Sequence, residues 1–214
     1  MSVLIWAPAA AWIIIVNKPV IGWPQVGVVA LSAFLQSFYF RFLDKGYEKG
    51  DMSIVYPVSR GTGPLLAALA GMAFLGERPT VVGMLGIGLM TAGIISLTGN
   101  PIKILRAGAS SGVFYALLCG ISIASYTICD KIAVSRIMIP PLLMEWGTNL
   151  VRWIMLTPYA LRNRSEIARL WKTDRVNAAG IGLLCPLAYT LVLTAMIASP
   201  VSYIAPTREI SILI

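Results

Sequence analysis

Seven ionisable side chains stand inside long apolar runs of this chain: the bases Arg60, Lys131, Arg152 and Arg208, and the acids Asp130, Glu145 and Glu209. If those runs cross a bilayer, a charge at the centre costs from about 2.5 to over 10 kcal/mol. Such charges persist where they pair with one another or line a polar cavity. Arg60 lies deepest. At a rise of about 1.5 Å per residue it sits roughly 13 Å into its run, too far to reach the surface easily. Ser53, Tyr56, Pro57, Arg60 and Pro64 follow helical spacing and share one face. Pro57 and Pro64 each remove a backbone donor, and Gly61 and Gly63 permit an irregular backbone. This pattern predicts a broken helix lining a cavity, with the charge and the break together making a polar pocket suited to an anion. The competing reading is that Arg60 pairs with an acid, Asp130 being a candidate, and locks two helices.

Arg208 has the same setting, with Glu209 beside it. Neighbouring helical residues point about 100° apart, so the two need not pair. Asp130 shares a face with Ser122 and Tyr126. It either neutralises an arginine, carries a coupling proton, or serves as a structural counter-ion. Lys131 is near a helix end and is expected to snorkel. Arg152, between Trp146 and Trp153, is deep for an interface anchor, and its role stays open. Glu77 and Arg78 fall in a tight turn and read as structural. The candidate substrate-binding set is Tyr56, Arg60, Tyr126, Asp130, Arg208 and Glu209.

The elements that must hold these residues are helices. Of 214 residues, 57% are hydrophobic and 12% charged, half the charge of an ordinary soluble domain. The mean hydropathy is +0.80. Eight apolar segments follow one another, at 2–16, 20–43, 52–76, 80–98, 110–135, 139–161, 177–198 and 200–214. A span needs about 20 residues, so the first and last are short. Nothing alternates as a barrel strand does, which leaves an all-α polytopic membrane protein. Gly83, Gly86, Gly88 and Gly93 are positioned to let helices approach closely. The tryptophans at 6, 12, 23, 146, 153 and 171 read mostly as interfacial belt residues.

The net charge of +8 sits largely in short loops, which points to membrane orientation rather than nucleic acid. Arg41, Lys45, Lys49, Lys103, Arg106, Arg162, Arg164, Arg169, Lys172 and Arg175 fall in one set of alternate loops, at 41–51, 99–109 and 162–176. Lys18, Arg78 and Arg136 fall in the other. The positive-inside rule puts the first set, and both chain ends, in the cytoplasm. There is no histidine, no acidic cluster for a metal and no phosphate-cradling Gly–Lys loop, so an enzyme is not expected, nor any cofactor. Cys119, Cys129 and Cys185 lie in apolar runs and read as small buried hydrophobes without a disulfide. The first run lacks a basic leader and reads as a short or clipped span rather than a signal peptide.

The stretch DMSIVYPVSRG (51–61) aligns with SPVSYIAPTRE (199–209), placing Arg60 opposite Arg208. Each follows a run with aromatics in its middle, Phe38–Tyr39 and Tyr189. The copies are separated by an odd number of crossings, so they run in opposite directions, as in inverted-repeat transporters. YPVSRGTGPLLAALAGMAFLGERPTVVGMLGIGLMTAGIISL resembles the end of an EamA-type repeat of the drug/metabolite transporter superfamily, with LGERPT (75–80) as its most recognisable feature. GVFYALLCGISIASYTICDK resembles the first helix of a second repeat. The resemblance covers nearly the whole chain and implies an inverted-repeat helical bundle, with eight of an expected ten helices present. Residues 1–99 would be a first repeat lacking its first helix, and 110–214 a second lacking its C-terminal part. The family orientation would put the 162–176 loop outside, opposite to the charge count. The function implied is transport of small metabolites across the cell inner membrane by alternating access. The alternatives are a truncated remnant that only inserts and a membrane-embedded enzyme.

Overall fold

The computed structural model describes residues 1–19, 21–97 and 110–209. Among them the chain forms eight helices and no strand. They are α1 (Ser2–Asn17), α2 (Trp23–Lys49), α3 (Met52–Leu75), α4 (Val81–Leu97), α5 (Ser110–Ser135), α6 (Pro141–Arg162), α7 (Arg164–Ala198) and α8 (Val201–Thr207). They match the eight apolar segments one for one. Stretches over 23–49, 52–75, 111–135 and 171–198 are long and apolar enough to cross a membrane, and those over 2–17 and 81–93 are shorter apolar helices. Large apolar side chains point outward along them, among them Phe74 at 78% and Trp23 at 89% exposure. Lipid, not water, is the solvent that such faces suit.

Helix ends follow from their residues. Asp51 caps α3, accepting from the Ser53 backbone N–H at 2.9 Å and from its hydroxyl at 2.8 Å. Those two bonds hold the Asp51 carboxyl below the usual range. Gly76 closes α3 at φ 69°, a left-handed turn natural to glycine. Pro141 opens α6, where a missing N–H costs nothing.

Three expectations need correction. The basic stretch 162–176 is largely helical, since α7 begins at Arg164 and bends at Asp174 (φ −122°, ψ 23°). Arg41, Lys45 and Lys49 likewise lie within α2. The 99–109 loop and residues 210–214 lie outside the described residues. Most consequentially, α3 runs unbroken through Pro57 and Pro64. Each proline takes one helical donor, from the carbonyls of Ser53 and Arg60. The turns between them are tied by side chains: the Ser59 hydroxyl donates to the Tyr56 carbonyl (2.9 Å) and Thr62 to that of Val58 (2.8 Å). The glycines serve packing instead. A Cβ on Gly63 would stand 2.8 Å from Ile123 Cγ2, and one on Gly120 would stand 2.1 Å from Thr62 Oγ1. Among the described residues, Gly83 of α4 meets Tyr203, while Gly86, Gly88 and Gly93 have no neighbour within 4 Å of where a Cβ would stand.

The described helices sort into two compact units. One contains Met1–Ala33 and Asp130–Ile197; the other contains Phe34–Cys129 and the described residues from Ala198 onward. In the first, α1 packs on α6, and the Trp146 indole donates to the Val3 carbonyl at 3.0 Å. In the second, α3 packs on α4 and α8 around Ala67, Ala124, Val201 and Ala205. The cysteines are free thiols. Cys119 is buried, Cys129 half-buried and Cys185 exposed, the last against expectation because it sits on an outward face of α7.

Candidate functional site

Two helices of the second unit, carrying the two copies of the repeated sequence, position a charged cluster. The turn after α3 meets the start of α8. Glu77 accepts from the backbone N–H groups of Val201 (2.7 Å) and Ser202 (2.9 Å). The Tyr203 hydroxyl accepts from the Thr80 backbone N–H at 2.8 Å. Arg60, earlier on α3, lies beside Glu209, just past the end of α8, at 3.7 Å. The order of contacts is reversed along the two helices, so α3 and α8 run antiparallel. The Glu77–Arg78 turn is structural as expected, and Glu77 caps a helix from the other copy.

At the cluster, Arg60 Nη1 and Arg208 Nε both approach the same oxygen, Glu209 Oε1, at 3.7 and 3.3 Å. The Glu209 side chain is 3% exposed, Arg208 15% and Arg60 28%. The adjacent residues Arg208 and Glu209 therefore do pair. Two guanidiniums thus meet at one carboxylate. The Arg60 guanidinium also sits 5.5 Å from the centre of the Tyr56 ring, a cation–π distance. Tyr39, Glu209, Tyr56 and Arg208 all act on Arg60 electrostatically. Tyr39 in turn packs edge-on against Tyr126, ring centres 6.2 Å apart. Five of the six expected residues, Tyr56, Arg60, Tyr126, Arg208 and Glu209, thus fall in one unit. Tyr39 is the residue the sequence reasoning passed over, although the mid-helix pair Phe38–Tyr39 was a visible signal.

Asp130 belongs to the other unit. It is fully buried and accepts from the Ser32 hydroxyl and from the Tyr189 hydroxyl, the latter at 2.6 Å. The ammonium of the neighbouring Lys131 donates to the Met196 carbonyl near the end of α7, where a helix presents negative dipole. Arg152 has a polar partner on its own helix. Its Nη2 donates to Asn149 Oδ1 (2.6 Å), and Asn149 Nδ2 donates to Glu145 Oε1 (2.6 Å). That polar chain along α6 was not anticipated.

Residues 1–99 match the EamA-like transporter family. Multidrug resistance protein EbrB of Bacillus atrophaeus is 35% identical over 75 residues, which is 35% of this chain and 61% of that protein. EbrB of Bacillus subtilis (strain 168) is 33% identical over the same share of each. The chain thus spans about 61% of the length of these relatives. No solved structure matches. The resemblance to EamA-type transporters therefore holds over residues 1–99, an EamA-like domain, and the chain is an all-α, multi-pass membrane protein.

Proposed function

Starting from an EamA-like transporter domain over residues 1–99, we propose that the chain serves a secondary transporter of small metabolites bearing an anionic group. The observation that carries this reading is the meeting of Arg60 and Arg208, one from each repeat copy, on the single carboxylate of Glu209. A guanidinium offers two parallel donors to a carboxylate or phosphate, and here two guanidiniums converge on one place. An incoming anionic group would meet the same two guanidiniums. The antiparallel run of α3 and α8 gives alternating access a structural basis, because a site made by inverted copies can be exposed to either side in turn. The host membrane in this reading is the cell inner membrane.

A second reading, export of drugs, comes from the name of the relatives. It is favoured by the rings of Tyr39, Tyr56 and Tyr126 grouped near the cluster, a surface on which flat apolar molecules pack. One screen separates the two. Purified protein is heated in detergent with small carboxylates, sugar phosphates and amino acids, and in parallel with aromatic cations. Stabilisation confined to the anion-bearing compounds is the expected outcome. At a hundred times its dissociation constant a ligand adds about 2.7 kcal/mol. Stabilisation by aromatic cations alone would replace this reading with the second.

A further inference from the structure

The transport reading leaves Glu145 unused, yet its surroundings are built. It lies one turn into α6 and is 6% exposed. A small cavity opens beside it, bounded by Ser2 and Trp6 of α1, Glu145 and Asn149 of α6, and Pro186 and Thr190 of α7. Its volume is about 10 Å³, room for a single water. Ser2 and Glu145 belong to the first two turns of their helices, whereas Pro186 and Thr190 lie inside α7. The Trp6 indole nitrogen, buried beside this cavity, has no hydrogen-bond partner among the described residues. A buried donor left unmatched costs about 1–3 kcal/mol, and a water in the cavity would accept from it. Glu145 Oε1 receives the Asn149 amide.

We propose that Glu145 is a proton-carrying site, and that the cavity holds the water through which the proton reaches its carboxylate. The charged and titratable groups facing it are few. α6 itself brings Arg152, through Asn149, and α5 brings Asp130. α1 brings Trp6 and Ser2, with the Met1 amino group one residue before it. α7 brings Thr190, and α2 packs Val29 against Gly147. Asp130 is the weaker candidate because both its oxygens already accept, from Ser32 and Tyr189. Glu145, with side-chain donors from Asn149 and Thr148 on its own helix, has a cavity beside it in which a water would exchange a proton without dismantling that shell. In the transport cycle proposed above, on which this last step rests, that proton would be the coupling ion.

The test is infrared spectroscopy of the full chain in lipid nanodiscs while the pH is stepped. The expected result is a protonated-carboxyl C=O band that fades as pH rises, is lost in Glu145→Gln and is kept in Asp130→Asn. Trp6→Phe, which removes the indole donor and keeps a ring, should shift its midpoint. Should Glu145→Gln fail to fold, Glu145→Asp serves instead: a displaced band supports the assignment and an unmoved one overturns it. Absence of any titrating carboxyl band, or its survival in Glu145→Gln, also overturns the proposal. The titration needs no substrate. A failed ligand screen therefore sinks the transport reading alone, and a missing band sinks the proton site alone.

Discussion

Arg60 shows how far a single residue can be read. Its depth in an apolar run marked it as a group that must be paired or line a cavity, and it pairs with Glu209 at 3.7 Å. Its partner could not be read, because the two are 149 positions apart and Asp130 and Glu145 were equally acidic choices (209 − 60 = 149). The glycines teach the same lesson from the other side. Gly61 and Gly63 between two prolines suggested a broken backbone, but the helix runs through both, and Gly63 admits Ile123 of a second helix. This predicts a contrast between two alanine substitutions. Gly120→Ala drives a methyl against Thr62, whose hydroxyl is tied to Val58, and overpacking of this kind costs about 1–3 kcal/mol. Gly86→Ala meets nothing within 4 Å and should be neutral or stabilising by up to about 1 kcal/mol. Melting temperatures in detergent read both; equal effects would contradict the packing account.

Among elements, the pair α3 and α8 carries the site. The repeat reading expected the two to run in opposite directions, and their contacts are antiparallel. The clamp between them was only half legible. LGERPT announced a turn, but nothing local said that Glu77 would satisfy two backbone donors at the start of α8, a helix of seven residues that could not hold its own first turn. Glu77→Ala removes both acceptors and leaves the Val201 and Ser202 N–H groups unmatched. The expected loss is about 1.5–3 kcal/mol, with Glu77→Gln recovering part of it through its one carbonyl. Hydrogen exchange should show the loss first in 201–207. Unchanged protection there would mean that α8 is held by packing alone.

At the scale of the whole molecule, the helical membrane class followed from composition alone, since 57% hydrophobic content with long uncharged runs allows little else. The grouping of helices did not follow. The sequence divides into successive halves, whereas the compact units each take residues from both, and α2 and α5 pass from one unit to the other. Repeats reveal how a chain was assembled, while packing depends on contacts that no local pattern records. The central claim is that Arg60 meets substrate rather than merely locking α3 to Glu209. The measurement that tests it most directly is ligand binding by the double variant Arg60→Ala/Glu209→Gln, using whichever anion-bearing compound stabilises the wild-type protein. The substitution takes one charge of each sign from the cluster, so its net charge is kept with Arg208 as the remaining ion, and the helical spectrum checks folding before binding is read. The account predicts a folded protein with a wild-type helical spectrum that the compound no longer stabilises. A folded double variant that binds as the wild type does would contradict it and leave Arg60 as a helix lock.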